Sequence, residues 1–111
     1  MAYEEKLAER IRELVGDEPN VTEKEMFGGL AFLVGGNMAI SASGQGGVLV
    51  RVDPAESDEL VAKSKAHVAV MRGREMPGWL RVDAEHMKTK RQLARWVGRG
   101  VAYARPLPAK N

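Results

Sequence analysis

Short apolar segments separated by glycines, between residues 26 and 52, constrain the fold of this chain more than any other feature. Residues 30–34 are apolar throughout and too few for an ordinary buried helix, so they predict a strand that is buried on both faces. The glycines at 35–36 and within 44–47 can adopt the positive φ angles of tight hairpin turns. Residues 48–52 place three valines on one side of an alternating pattern. The middle of the chain therefore predicts an antiparallel meander.

The tetrapeptide Met26-Phe27-Gly28-Gly29 opens this run of strands. Paired glycines at the entrance to a strand indicate a β-bulge or a close approach between two backbones. A contact with a ligand is the alternative interpretation of the same pair, since a backbone without a Cβ can also approach a bound molecule closely.

Helices are predicted before and after the meander. Residues 3–15 repeat apolar side chains at helical spacing, and Gly16 is placed to end that helix. Asp53 followed by Pro54 is the pattern of a helix start, and it predicts a middle helix that continues to about Lys63. This middle helix contributes few apolar residues, so we expect it at the edge or surface of the sheet.

The last helix has the clearest pattern in the chain. Thr89 and Gln92 have the spacing of a capping box, and an amphipathic stripe follows them. Pro106 and Pro108 are expected to end this helix, and residues 105–111 are predicted to form a frayed tail.

Two more strands are predicted between the middle and last helices. Residues 68–71 and 79–82 are the candidate strands, and Pro77-Gly78 predicts a turn in the loop between them. Trp79 and Trp96 are interpreted as core residues, with anchoring of a partner as the alternative. Together the patterns predict an α+β fold, in which an antiparallel sheet of about five strands packs against an N-terminal, a middle and a C-terminal helix.

Composition limits the organisation of the chain. Its 111 residues predict one domain over residues 1–111. The absence of cysteine excludes disulfides and thiolate metal sites, and it is compatible with a reducing compartment. The N-terminus is acidic and has no secretory pattern, and no apolar stretch approaches the ~20 residues of a membrane span. We expect a soluble, cytoplasmic protein that does not bind membranes.

No catalytic or metal-binding pattern stands out in the sequence. His67 and His86 are the only histidines, and they lack the spacing of metal ligands, so they are interpreted as edge or surface residues. The glycine-rich loops lack the lysine and the following helix of a phosphate-binding loop. No serine lies in a nucleophile motif. We expect a non-enzymatic protein with no cofactor, no metal and no catalytic residue.

Basic residues are concentrated at the C-terminal end, where residues 81–111 carry eight bases and two acids. Lys88, Arg91, Arg95 and Arg99 lie opposite the apolar stripe of the last helix at 100° per residue. This basic face has three interpretations: the solvated side of an ordinary helix, a contact for an acidic protein, or a nucleic-acid contact. No aromatic residue is interleaved among the cations on this face of the helix, since Trp96 belongs to the apolar stripe, and this weakens the nucleic-acid interpretation.

Several segments in this order resemble the N-terminal domain of the TfoX/Sxy family of bacterial competence regulators. The resemblance covers nearly the whole chain and rests on Met26-Phe27-Gly28-Gly29-Leu30-Ala31-Phe32, Gly35-Gly36-Asn37-Met38, Val48-Leu49-Val50-Arg51-Val52 and Leu93-x-x-Trp96-Val97.

The resemblance implies an antiparallel sheet with helices packed on it, similar to the fold of secretion-chaperone-like proteins. It also implies a non-enzymatic role in transcription regulation, since the regulators of this family act as coactivators of competence genes with the cyclic-AMP receptor protein. Those regulators carry a second, C-terminal domain, whereas this chain is expected to be a stand-alone first domain. A protein partner is expected, nucleic acid is the alternative partner, and the chain is expected to be a monomer or a homodimer.

Overall fold

The computed structural model describes residues 4–26, 28–44 and 46–108, which form three α-helices and one antiparallel sheet. The helices are α1 (Glu5–Leu14), α2 (Ser57–Lys63) and α3 (Lys90–Ala104). The strands are β1 (Val21–Met26), β2 (Gly29–Val34), β3 (Asn37–Ala42), β4 (Val48–Arg51), β5 (His67–Met71) and β6 (Arg74–Val82). The predicted α+β class is confirmed, and the sheet has six strands where the sequence predicted about five.

The strand order is β1-β2-β3-β4-β6-β5, so the first four strands form the predicted meander. Gly35 and Gly36 have φ angles of 59° and 83° in the turn between β2 and β3. The turn between β3 and β4 is closed by a hydrogen bond from the Ser43 amide to the Gly47 carbonyl, at 3.0 Å. Both glycine-rich stretches therefore serve as hairpin turns, as the sequence predicted.

The connection between β5 and β6 differs from the prediction. The turn lies at Arg72-Gly73, both with positive φ, and Pro77-Gly78 lies inside the long strand β6. The pairing of β6 with β5 is irregular at this point. Gly78 has a φ of 88°, and its carbonyl accepts a hydrogen bond from the Val52 amide at 2.8 Å. Pro77-Gly78 thus lies within a strand, where its pairing is irregular, and does not reverse the chain.

All three helices contribute to the main core on one face of the sheet. The structure confirms the amphipathic stripe of α3, since Leu93, Trp96, Val97 and Val101 are buried there. In the middle helix, Asp53 caps a short 3-10 segment that precedes α2, and Leu60 is one of its partly buried contacts with the core. A smaller apolar cluster lies on the opposite face of the sheet and contains Ala31, Met38, Leu49 and Ala69.

The Met26–Gly29 motif forms the tight hairpin between β1 and β2. Met26 and Gly29 are paired across the two strands, and Gly28 has a φ of 74° in the turn. A Cβ on Gly29 would overlap the carbonyl oxygen of Ala42 and lie 3.2 Å from its carbonyl carbon. The predicted close backbone approach is therefore confirmed at Gly29, while Phe27 lies outside the described residues.

The segment that follows α3 is anchored to the rest of the domain. Arg105 makes a two-pronged ion pair with Glu18, with nitrogen–oxygen distances of 2.9 and 2.6 Å. The Asn37 side-chain amide donates a hydrogen bond to the Pro108 carbonyl at 2.9 Å. Residues 105–108 are therefore held in place, contrary to the predicted frayed tail, and residues 109–111 lie outside the description. Within the described ranges, every helix is too short or too polar to cross a membrane.

The ion pair between Glu18 and Arg105 predicts a specific pH dependence. The hydrogen bonds from Arg105 lower the pKa of the Glu18 carboxyl, so the pair contributes stability above the ordinary carboxyl pKa of about 4.3. That contribution is lost as the pH falls through the lowered pKa of the folded state. In thermal unfolding between neutral and acidic pH, wild type should be more stable than Glu18→Gln at neutral pH, and the two should converge in acid.

The control for this prediction is Glu13→Gln, because Glu13 is exposed and has no ion pair in the described part of the chain. Its difference from wild type should stay small at every pH. A difference between wild type and Glu18→Gln that is independent of pH would contradict the role of the pair.

Candidate interaction surface

Hydrogen bonds hold the start of α3 in place, and this positions the basic face. The Thr89 hydroxyl accepts a hydrogen bond from the Gln92 amide, and the Gln92 side chain accepts one from the Thr89 amide, each at 3.1 Å. Arg10 on α1 donates to the Met87 carbonyl at 2.9 Å. The predicted capping box is confirmed, and α1 supports the segment that leads into it.

All four residues of the basic face are exposed, as the sequence predicted for the solvated side of α3. Arg91 and Arg95 are one helical turn apart, and neither has an ion-pair partner among the residues described. The α3 sequence contains no acidic residue. The centre of the basic face is therefore a pair of arginines whose charges no side chain in the described structure neutralises.

The two ends of the basic face have different surroundings. Lys88 lines a groove together with Glu4 and Glu85, so carboxylates are available near this end. At the other end, the Arg99 guanidinium carbon lies 5.5 Å from the centre of the Trp96 ring. Within the basic face, Arg91 and Arg95 are therefore the cations most available to a partner.

Arg99 also lines a groove of about 470 Å³ between the end of α3 and the segment that precedes α2. The carboxylate-bearing residues Asp53 and Glu56 line the same groove. Arg99 therefore has carboxylate-bearing residues in its groove, although it forms no ion pair among the described residues.

Arg51 contacts two aromatic rings, and no local pattern in the sequence predicted this. The Arg51 guanidinium carbon lies 5.1 Å from the centre of the Trp79 ring and 5.4 Å from that of Tyr103. Trp96 is buried as predicted, whereas Trp79 is only partly buried and packs against the smaller cluster. Arg51 and Trp79 are paired across β4 and β6, which only the sheet register reveals.

The two histidines lie on different elements. His67 is exposed at the start of the edge strand β5, in agreement with its interpretation as an edge residue. The potential ligand atoms of Asp83, Glu85 and His86 lie within 4.8 Å of one another. Both of these acids are exposed, and exposed acidic groups of this kind are common without a metal, so the cluster gives no reason to assign a metal site.

Serine hydroxyls in the described structure take part in structural hydrogen bonds. The Ser57 hydroxyl accepts from the Gly78 amide at 3.3 Å, and the Ser43 hydroxyl accepts from Arg81 at 2.8 Å. Ser64 donates to the Leu60 carbonyl at 2.6 Å near the end of α2. These contacts hold β6 and α2 in place.

Comparison with known proteins gives one result. Residues 13–104 match the family described as the TfoX N-terminal domain. The matched segment contains the Met26–Gly29 hairpin, the whole sheet and α3. No curated protein and no solved structure is significantly similar to the chain.

Proposed function

Since the chain belongs to the TfoX N-terminal domain family, we propose that it is a non-enzymatic regulatory domain that binds an acidic protein partner. The proposed contact is the basic face of α3, formed by Lys88, Arg91, Arg95 and Arg99. The observation that carries the proposal is the pair Arg91 and Arg95, exposed on a capped helix that contains no acidic residue.

The electrostatics of α3 support this role, because its cations occupy positions where positive charge lowers the stability of the helix. Lys90 and Arg91 occupy the first turn, where the helix dipole favours acidic side chains by about 0.3–1 kcal/mol each. Arg91 and Arg95 are four residues apart, as are Arg95 and Arg99, and like charges at this spacing cost roughly 0.2–0.5 kcal/mol per pair. A helix with only a structural role has no need of this arrangement, whereas a surface for an acidic partner does.

Affinity capture from an extract of the native cells tests the proposal. The full chain serves as bait beside Arg91→Glu and a control variant, Lys6→Glu. Lys6 is exposed and occupies the second position of α1, as Arg91 does in α3, so both variants make the same change of charge at equivalent helix positions. We expect wild type and Lys6→Glu to capture the same partner, and Arg91→Glu to lose it.

The Arg91→Glu variant should show opposite effects on binding and stability. Binding of the captured partner should weaken by about tenfold or more, because an acid would then face an acidic surface. The free energy of unfolding should rise by about 0.5–1 kcal/mol, because Glu at position 91 suits the helix dipole and lies four residues before Arg95. Urea unfolding and titration with the purified partner measure the two effects. Equal capture by wild type and Arg91→Glu would contradict the proposed surface.

Direct binding of nucleic acid is the second candidate function, and the same exposed stripe of cations supports it. Phosphate contacts by these residues predict affinity that falls steeply with salt and depends on Arg91 and Arg95. Titration of DNA and RNA at low and moderate salt separates the two functions. Tight, salt-sensitive binding that charge reversal removes would favour nucleic acid, whereas no binding at low salt would leave the acidic protein as the partner class.

A further inference from the structure

Among the residues that the structure describes, the strand β5 forms one edge of the sheet and pairs only with β6. An edge strand presents unpaired backbone N–H and C=O groups, to which another extended chain can bind. The opposite edge, β1, is protected in the usual way, because its central residues Glu23, Lys24 and Glu25 are charged and exposed. The sequence of β5, His-Val-Ala-Val-Met, contains no lysine, arginine or acid, so this edge lacks the same protection.

An exposed valine marks the β5 edge. Val70 has 61% of its surface exposed and is the one large apolar side chain of the described structure that is exposed. Val68, two residues earlier, is partly buried and packs against the main core. Side chains two residues apart in a strand lie on the same face. A strand added beside β5 could therefore extend the apolar surface from Val68 to Val70.

Cations lie on both sides of the β5 edge. Lys65 precedes the strand, and Arg72 and Arg74 follow it; all three are exposed and have no ion pair in the described structure. Arg72 has a φ of 54°, in a two-residue turn where Asn and Gly are favoured. A basic residue is thus present at a position where the backbone favours other residues. This supports a role for its charge in binding.

We propose that the β5 edge binds an extended segment of an acidic protein, which adds to the sheet as an antiparallel strand. The inference rests on the proposed interaction role and identifies a second contact surface, separate from the basic face of α3. The bound segment would place apolar residues opposite Val70 and Val68, and an acid opposite each of Arg72 and Lys65. Counted from the residue opposite Arg72 to the residue opposite Lys65, the segment has eight positions. Positions 1 and 8 are acidic, positions 3 and 5 are apolar, and the other four can be any residue.

Charge favours this occupant over a second copy of the chain. In an antiparallel pair of β5 strands centred on Ala69, Lys65 of one copy would meet the Arg72–Arg74 turn of the other. The same repulsion would occur at both ends of the pair, and like charges placed opposite each other in a sheet are destabilising. A segment with acidic ends meets attraction at the same two places.

A synthetic peptide tests the proposal directly. Fluorescein-labelled ETVTVTSE follows the pattern, KTVTVTSK reverses its end charges, and ETVPVTSE places a proline at its centre. We expect saturable binding of ETVTVTSE to the full chain by fluorescence anisotropy, about tenfold weaker binding of the lysine peptide, and no binding of the proline peptide. Absence of saturable binding, or equal affinity for all three peptides, would overturn the proposal.

Two protein variants sharpen the test. Arg72→Asn should weaken binding of ETVTVTSE by about threefold to fivefold through loss of one exposed charge contact. Its Tm should be equal to or higher than that of wild type, because Asn tolerates positive φ better than Arg. Unchanged affinity in Arg72→Asn would contradict the role of the turn.

A dimer in light scattering that Val70→Lys dissociates would show that a second copy occupies the edge, which also overturns the proposal.

The failure of this inference can be told apart from failure of the proposed function. Arg91→Glu changes only α3 and should bind ETVTVTSE as wild type does. If capture of the cellular partner depends on Arg91 while ETVTVTSE does not bind, the β5 proposal fails and the proposed function stands. If ETVTVTSE binds with the expected charge dependence while capture is insensitive to Arg91, the proposed role of the basic face of α3 is contradicted and the β5 proposal stands.

Discussion

Gly100→Ala is expected to destabilise the domain by about 2–3 kcal/mol, because there is no room for a side chain between α3 and β3. A Cβ on Gly100 would overlap the carbonyl oxygen of Ala39 and lie 2.9 Å from its carbonyl carbon. Both clashing atoms belong to the backbone of a central strand, so no side-chain rotation can relieve the overlap. The helix that carries the basic face would have to move away from the sheet, which would open the core.

Gly98→Ala is a matched control in the same helix. Gly98 is exposed, and among the described residues no atom outside the adjoining helix backbone lies within 4 Å of the position that its Cβ would occupy. Alanine is a better helix former than glycine, so this variant should gain about 0.5–1 kcal/mol. Urea unfolding followed by circular dichroism measures both variants. Similar changes in stability for Gly98→Ala and Gly100→Ala would contradict the close approach of α3 to Ala39.

Gly29→Ala is expected to have the second largest effect, a loss of about 2–3 kcal/mol. A Cβ on Gly29 would overlap the carbonyl oxygen of Ala42 and lie 3.2 Å from the Gly44 amide nitrogen. The overlap again involves only backbone, at the point where β2 passes β3. Separating these strands would weaken the pairing that defines the first hairpins of the meander.

Gly28→Ala provides the comparison for Gly29→Ala. Apart from its chain neighbours, no atom of the described residues lies within 4 Å of a Cβ on Gly28, but its φ of 74° disfavours any side chain, so the loss should be roughly 1 kcal/mol. The two variants should differ clearly in the urea concentration at the midpoint of unfolding. A larger loss for Gly28→Ala than for Gly29→Ala would show that turn conformation, and not strand contact, explains the Met26–Gly29 motif.

Local patterns in the sequence were sufficient to predict most of the fold. The apolar run of β2, the alternation of β4 and the capping box at Thr89 each predicted the element that the structure contains. Their physical causes act within a few residues, so they can be read without a structure. The Pro77-Gly78 prediction was wrong because that dipeptide suits both a turn and an irregularity within a strand. Contacts with Val52 and Ser57, distant in the sequence, determine the outcome.

The exposure of the candidate surface could be predicted, but its neighbours could not. Helical spacing placed Arg91 and Arg95 opposite the apolar stripe, and the structure confirms that both are exposed. Spacing could not show that Arg99 stacks on Trp96 or that Lys88 shares a groove with Glu4. The ion pair of Arg105 with Glu18 could not be predicted either, because the two residues are 87 positions apart in the sequence. The contact of Arg51 with the Trp79 ring depends on the register of β4 with β6.

Nuclear magnetic resonance mapping of the bound surface tests the central claim most directly. The isotope-labelled domain is titrated with the protein that wild type captures, and shifts of its backbone amide signals are followed. The basic face predicts that the largest shifts fall between Lys88 and Arg99, and that they are lost in Arg91→Glu and retained in Lys6→Glu. Saturable binding with no shifts in α3, and with shifts confined to other elements, would contradict the claim that this helix binds the partner.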